Sequence, residues 1–77
     1  MIKVQVTLIG SLYKYLHGEK TKKIDFQEGT SAEDILRELG IPSEYCSFMM
    51  VNGLKAPRSY MLCEGDEVVV FPLVSGG

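Results

Sequence analysis

Two glycines, Gly76 and Gly77, close the sequence directly behind a strand-like apolar run. A glycine pair has no side chain to block a narrow channel, and it tolerates a wide range of backbone conformations. Residues at a chain end are commonly frayed unless other contacts tie them down. We therefore expect residues 75–77 to form a flexible tail, whose free α-carboxylate on Gly77 can reach deep into the active site of another protein.

The composition is that of one small domain without a basic stripe or a membrane-spanning segment. The chain has 77 residues and a formal net charge of −2, with acids and bases interspersed, so nucleic acid is not an expected partner. Its apolar runs are much shorter than the ~20 residues that a membrane-spanning helix needs. The alternating N-terminus does not match a signal peptide, and we expect a cytoplasmic protein.

The reactive side chains elsewhere in the sequence do not form a catalytic or metal-binding motif. Two cysteines, Cys46 and Cys63, and one histidine, His17, are too few for a four-ligand zinc or iron–sulfur site. We interpret the cysteines as semi-buried, reduced thiols and His17 as a surface or turn residue. The phosphate-cradling loop G-x-x-x-x-G-K-S/T is also missing, so we expect this chain to bind neither a metal nor ATP.

The first part of the sequence predicts two strands separated by a short helix. Apolar and polar residues alternate over positions 2–8, which is typical of a strand with one buried face. Leu12, Tyr15 and Leu16 then follow at helical spacing, with Ser11 as the expected N-cap and Gly18 as the expected end. Residues 22–26 predict a second strand that pairs with the first.

The middle of the sequence predicts the main helix. Thr30 and Glu33 have the spacing of a capping box, with Thr30 as the N-cap. An apolar stripe at helical spacing follows, formed by Ala32, Ile35, Leu36 and Leu39. Gly40 and Pro42 end the helix, and the stripe predicts that one face of the helix packs on a sheet.

Two further strands complete the predicted sheet, one at residues 48–51 before the Asn52-Gly53 turn and one at residues 67–71 before Pro72. One helix cannot cover both faces of the sheet. We therefore expect an α+β protein with a mixed sheet of four to five strands and one main helix packed on one face. With the first and last strands parallel in the centre, each paired with an edge strand, this is the ubiquitin-like β-grasp fold, formed by residues 1–74.

The strands at 48–51 and 68–71 are apolar on both faces. Since the helix covers only one face, some of these side chains should stay exposed as a patch near the tail, and such patches usually mark a docking surface. The alternative is that the segments 10–20 and 54–63 fold over the second face.

Several motifs along the whole chain are similar to those of one known family. They are the Thr-Ser-Ala-Glu helix start, the Val-Asn-Gly turn at 51–53, the segment Leu-Cys-Glu-Gly-Asp-Glu-Val at 62–68, and the ending Phe-Pro-Leu-Val-Ser-Gly-Gly at 71–77. With them the chain resembles the ubiquitin-like sulfur carriers, and most closely the small subunit of molybdopterin synthase. Leu73 departs from the pattern, which commonly has a second proline there.

The resemblance implies a mechanism in which the chain delivers sulfur to other proteins. A ubiquitin-activating-type partner enzyme would adenylate the Gly77 carboxylate with ATP. A sulfur donor enzyme would then convert it to a thiocarboxylate by displacing AMP. The large subunit of molybdopterin synthase, in a heterotetramer with this chain, would use that sulfur to build the dithiolene of molybdopterin.

The resemblance also implies the functional residues. Gly76 and Gly77 would enter the partner active sites, with Gly77 carrying the sulfur, and Pro72 would stiffen the exit from the sheet. The residues expected to contact the partner are Phe71, Pro72, Leu73, Val74 and Ser75. Three alternatives stay open: a carrier for thiamine thiazole or tungsten-pterin synthesis, a protein modifier joined to lysine, and a β-grasp interaction module with an inert tail.

Overall fold

A computed structural model describes residues 1–73. Within them the chain forms a mixed five-stranded sheet, one α-helix and two short 3-10 helices. The strands are β1 (Ile2–Leu8), β2 (Thr21–Phe26), β3 (Cys46–Val51), β4 (Leu54–Ala56) and β5 (Glu67–Pro72), and the α-helix is α1 (Ala32–Leu39). The first 3-10 helix is Gly10–Leu16 and the second is Ser43–Tyr45.

The order of strands in the sheet is β2-β1-β5-β3-β4. The first and last strands are parallel neighbours, with Leu8 beside Val70, and the remaining neighbours are antiparallel. The predicted mixed sheet and the central parallel pair are therefore confirmed. The prediction that β3 lies at an edge is wrong, because β4 pairs outside it.

The extra strand β4 arises from the turn at Asn52 and Gly53. Both residues have positive φ, 52° and 85°, as a tight two-residue hairpin between right-twisted strands requires. The turn brings Leu54 back beside Val51. Residues 54–56, which belong to the segment 54–63 where no strand was predicted, consequently form the outer strand of the sheet.

The core lies between the sheet and helix α1. From the sheet it receives the apolar residues of the β1 alternation, Val4 and Val6 among them, and from the helix it receives Ile35 and Leu36, all fully buried. Leu39 packs against this core in a partly buried position. The period-two pattern of β1 and the helical stripe of α1 thus identified both surfaces that form the core.

Helix α1 begins one residue later than the predicted capping box. Ser31, and not Thr30, is the N-cap: the Asp34 amide donates to Ser31 Oγ at 3.3 Å, and the Ser31 amide donates to Asp34 Oδ2 at 3.0 Å. The bond from the Ser31 amide to the Asp34 carboxylate is the main reason that the pKa of Asp34 lies below its usual value. Thr30 Oγ1 instead donates to the Gln27 carbonyl at 2.6 Å, so the hydroxyl that we assigned to the cap is engaged before the helix. Glu33 lies 3.7 Å from the Arg58 guanidinium.

The first 3-10 helix also differs from its prediction at the N-terminus. Its N-cap is Ile9, without a side-chain hydrogen bond, and Ser11 lies inside the helix. Gly10, which adopts a φ of +62°, is the first residue of the helix, so the helix begins two residues earlier than a Ser11 cap would place it. The helix ends at His17, which is exposed as predicted and has a φ of 54°.

The two cysteines differ in environment. Cys46 is buried at the start of β3, and burial raises the pKa of its thiol. Cys63 is exposed, so the prediction that both thiols are semi-buried is wrong for Cys63, which lies in the loop before β5. In residues 1–73, helices long and apolar enough to span a membrane are absent.

Candidate functional site

The predicted site residues divide into two groups at the end of β5. Phe71 and Pro72 are the last residues of that strand, and Leu73 follows it. The predicted functional residues Gly76 and Gly77, and the predicted contact residues Val74 and Ser75, lie outside the described residues. The part of the site within residues 1–73 is the surface from which the chain leaves the sheet.

Phe71 lies on the face of the sheet opposite helix α1. Its ring stacks on Phe48 of β3, with 4.4 Å between the ring centroids and 9° between the ring planes. The two residues are cross-strand partners beside an irregularity in the β3–β5 register between Cys46 and Phe48. Lys55 Nζ lies 5.5 Å from the Phe48 centroid, within the range of a cation–π contact.

Four half-buried apolar side chains form what we call the sheet patch: Phe48, Met50, Val69 and Phe71. They belong to two cross-strand pairs of β3 and β5. Their neighbours of opposite parity, Met49 and Val70 among them, are buried in the core. The two apolar faces of these strands are thus accounted for, because one face lies in the core and the other forms the sheet patch. The expected second apolar surface is present, and its side chains are half-buried.

The connecting segments leave the sheet patch partly open because they pack into the core. Leu12 and Leu16 of the first 3-10 helix are buried in the same core cluster as the inner residues of the sheet. Leu62, from the segment between β4 and β5, is buried there as well. The alternative in which these segments fold over the second face is not supported.

Pro72 and Leu73 define where the chain leaves the sheet. Pro72 is the partner of Cys46 in the β3–β5 ladder. One residue further, the Leu73 amide donates to the Tyr45 carbonyl at 2.8 Å. The side chains of Leu73 and Tyr45 are 62% and 50% exposed, and together with Ser11, Leu12 and Pro72 they line a shallow, mainly apolar groove. The backbone is thus held up to Leu73, beside exposed apolar side chains.

Arg58 holds the segment that contains Tyr45. Its Nη2 donates to the Ser43 carbonyl at 3.0 Å and to the Cys46 carbonyl at 2.8 Å, on either side of Tyr45. Its Nη1 lies 3.7 Å from Glu33 Oε1 on helix α1. Sequence reasoning did not assign a role to Arg58 or Tyr45, since backbone acceptors far away in sequence leave no local motif.

A polar network fixes the opposite end of β5, around buried Asp66. Its carboxylate accepts hydrogen bonds of 2.8–2.9 Å from the Cys63 amide, Asn52 Nδ2 and the Tyr60 hydroxyl. Burial by itself raises the pKa of Asp66, but these hydrogen bonds outweigh it and lower the pKa. The bond to Asp66 is the main reason that the pKa of Tyr60 rises to about 12. Asn52 Oδ1 also accepts from the Glu67 amide at 2.9 Å, which fixes the first residue of β5.

The described surface carries exposed apolar side chains beside Leu73, the last described residue. Among residues 1–73, clusters of three His, Cys, Asp or Glu that could hold a metal ion are absent. What the arrangement can do is hold Leu73 at the rim of an apolar surface, where a partner could bind the domain and receive the residues that follow.

Comparisons with known proteins agree with this geometry. The model of the ThiS family matches residues 6–77. The chain is 31% identical to the molybdopterin synthase sulfur carrier subunit of Mycobacterium tuberculosis, with all of both chains covered. The match to the family model spans nearly the whole chain, from β1 to the glycine pair.

Solved structures support the fold. A putative molybdopterin converting factor, subunit 1, from Pyrococcus furiosus has a TM-score of 0.73 at 24% identity, covering 96% of this chain and 100% of that one. Small archaeal modifier protein 1 of Haloferax volcanii reaches 0.77 at 20%, covering 96% and 100%. Urm1 from Trypanosoma brucei reaches 0.72 at 15%, covering 97% and 95%. The fold is therefore the ubiquitin-like β-grasp, and the chain belongs to the ThiS family of ubiquitin-like sulfur carriers.

Proposed function

We propose that this chain is the sulfur carrier subunit of a molybdopterin synthase. The observation that supports this most directly is the full-length similarity, at 31% identity, to a relative from Mycobacterium tuberculosis that bears that description. The exposed apolar side chains around Leu73 and the sheet patch suit a domain that docks on a partner protein while its last residues enter the active site of that partner.

The sulfur is carried on Gly77 in this proposal. A carboxylate is a poor electrophile, so a ubiquitin-activating-type enzyme first joins it to AMP from ATP, releasing pyrophosphate. The terminal sulfur of a donor persulfide attacks the acyl carbon and expels AMP. The product is an acyl disulfide. An enzyme thiol then attacks its other sulfur, which is the side-chain sulfur of the donor's cysteine; the two enzyme cysteines form a disulfide, and the thiocarboxylate is released. ATP binding and these thiols belong to the partners.

The thiocarboxylate then serves as a nucleophile in the large subunit of the synthase. Its sulfur attacks a cyclic pyranopterin precursor, and two such transfers build one dithiolene. The contribution of this chain is to raise the effective concentration of Gly77 at that active site by docking its folded domain. Phe71 and the other residues of the sheet patch supply apolar contact area, and Pro72 and Leu73 lie at the rim next to the tail.

The primary test is the intact mass of the protein after incubation with ATP, an adenylating enzyme of the ubiquitin-activating type and a persulfide donor. We expect the increase that corresponds to replacement of one oxygen by sulfur. A variant without Gly77 should fold and stay uncharged. An unchanged mass of the full chain, in a mixture that charges a known carrier, would contradict the proposal.

A bulky residue at Gly76 tests whether the glycine pair has to pass through a narrow channel. Gly76→Phe should keep the thermal stability of the unsubstituted protein and abolish formation of the thiocarboxylate. If this variant were charged at the normal rate, the channel argument would be wrong although the carrier function itself could stand.

Membership of the ThiS family leaves a carrier for thiamine thiazole as the main alternative, beside one for a tungsten pterin. The charged protein separates them when it is offered to each acceptor enzyme. Sulfur transfer to a cyclic pyranopterin by a molybdopterin synthase large subunit supports the proposal. Sulfur transfer only in the reaction of a thiazole synthase overturns it. Appearance of lysine conjugates without sulfur transfer would identify a protein modifier.

A further inference from the structure

Gly10 lies directly beside Pro72. The strands β1 and β5 are parallel with Leu8 opposite Val70, so the residues two positions further along each chain are also neighbours. A Cβ built on Gly10 would lie 3.3 Å from Pro72 Cγ, and Gly10 has a φ of +62°. Gly10 therefore leaves room for the proline ring, and we call this contact the seat of Pro72. It lies on the side of β5 opposite Tyr45, because β5 runs between β1 and β3.

The backbone on both sides of this contact is held by the sheet. On the Gly10 side, the Ile9 amide donates to the Val70 carbonyl at 3.0 Å, which ties the residue before Gly10 to β5. On the other side, Pro72 is paired with Cys46 in the ladder, and the Leu73 amide donates to the Tyr45 carbonyl at 2.8 Å. A Cβ on Gly10 would consequently press on the ring of Pro72, which would have to shift by a few tenths of an ångström toward Tyr45.

We infer that Gly10 is a positioning residue for the sulfur transfer. Its missing side chain seats Pro72, and this seat, together with the Tyr45 carbonyl, sets the direction in which the chain leaves the sheet at Leu73. The inference rests on the proposed function, because the direction of exit matters to catalysis only if the following residues are delivered to a partner.

The chain contains a matched control for this contact. Gly18 also has a left-handed backbone, with a φ of +87°, but a Cβ built on it meets nothing within 4 Å. Alanine is strained at both positions, since L-residues disfavour positive φ. The variants Gly10→Ala and Gly18→Ala therefore share the backbone effect, and they differ in the contact with Pro72.

The first experiment compares the two variants in the charging reaction with the adenylating enzyme, ATP and the persulfide donor. A misplacement of 1 Å can lower a rate by ~100-fold, so a shift of a few tenths of an ångström should lower kcat for Gly10→Ala by about 3- to 10-fold. Its KM should stay within about twofold of the unsubstituted value, because the sheet patch that would dock is unchanged. Gly18→Ala should leave both constants unchanged. Equal effects of the two substitutions would overturn the inference.

A second measurement does not depend on any partner. Hydrogen exchange of the Leu73 amide, followed by NMR, reports its bond to the Tyr45 carbonyl directly. Gly10→Ala should speed this exchange relative to Gly18→Ala at matched global stability. If the unsubstituted protein is not charged with sulfur, the proposed function fails, and this exchange measurement still decides whether the seat exists.

A third comparison removes the atom that the new Cβ would meet. In a Pro72→Ala background the ring is gone, so adding Gly10→Ala should then lower kcat no more than adding Gly18→Ala does. This loss of the difference is expected if Gly10 acts through Pro72. A Gly10→Ala effect of the same size with and without the ring would overturn the inference and assign the effect to backbone strain alone.

Discussion

The rings of Phe48 and Phe71 lie nearly parallel on the outer face of the sheet, with 4.4 Å between their centroids, and Phe71 directly precedes Pro72, the last residue of β5. This relationship joins strand β3 to the end of its neighbour β5, the last strand. It also means that two roles of Phe71 have to be separated, because the ring packs on β3 and is also half-buried surface that the proposed function assigns to contact with a partner.

A double-mutant cycle separates the contribution of the stack from that of each ring. We expect Phe48→Ala and Phe71→Ala to be coupled in the free energy of unfolding by about 0.5–1.5 kcal/mol, as for other aromatic pairs. Urea unfolding of the two single variants and the double variant measures this coupling. Leu54→Ala is the control, since Leu54 is 74% exposed and should change stability by less than about 0.5 kcal/mol. Additive effects of the two ring substitutions would show that the stack does not stabilise the fold.

Arg58 should matter more to stability than its exposure suggests. Its guanidinium donates to the carbonyls of Ser43 and Cys46, so Arg58→Met leaves both acceptors without this donor and should cost about 1–2 kcal/mol. Arg37→Met is the matched control: Arg37 pairs with Asp34 at 3.4 Å but is 78% exposed, so its loss should cost less than about 0.5 kcal/mol. Thermal unfolding compares them, and equal losses would contradict the assigned role.

The regular parts of the fold could be predicted because their signals are local. The alternation over β1 and the stripe on α1 each require only neighbours within a few residues. Strand β4 was missed, since Leu54 and Lys55 are both exposed and three residues are too few to show a period. Its existence depends on β3 as a template, which is a tertiary effect that propensity does not contain.

The position of the helix cap shows why even a correct motif can be placed wrongly. Two capping boxes overlap in the sequence, Thr30 with Glu33 and Ser31 with Asp34, and either satisfies the local pattern. The rest of the fold selects between them. The Thr30 carbonyl accepts from the Leu62 amide at 2.9 Å, which keeps Thr30 in the segment before the helix. The hydrogen bond from Leu73 to Tyr45 was unpredictable for the same reason.

Substitutions at the two candidate caps give different results if this assignment holds. Ser31→Ala removes the side-chain acceptor of the Asp34 amide, which also donates to the Ser31 carbonyl at 3.0 Å. It should lower stability by about 1 kcal/mol, with faster hydrogen exchange at Asp34. Thr30→Val removes only the hydroxyl that bonds to the Gln27 carbonyl, so the Asp34 amide should stay protected. Loss of that protection in Thr30→Val, and not in Ser31→Ala, would restore the original prediction.

The two cysteines should react at very different rates. Cys63 is exposed, whereas Cys46 is buried and its pKa is raised by that burial; a thiol must ionise to react with iodoacetamide. The native protein should therefore be alkylated once, and the protein in denaturant twice, as measured by intact mass. Cys63→Ser should react slowly until it unfolds. Rapid double alkylation of the native protein would show that the start of β3 opens readily.

The bond between Tyr60 and Asp66 makes stability depend on alkaline pH. Because the pKa of Tyr60 is raised from 10.0 to about 12 in the folded protein, the neutral phenol is favoured by folding. This contribution is fully present below about pH 10 and is lost as the pH rises through about 12. Tyr60→Phe cannot ionise, so the difference in urea midpoint between it and the unsubstituted protein should shrink over this range. Asp66→Asn should weaken the same dependence, since the Asp66 carboxylate is the main cause of the raised pKa. A constant difference from pH 9 to 12 would mean that the phenol does not donate to Asp66 in solution.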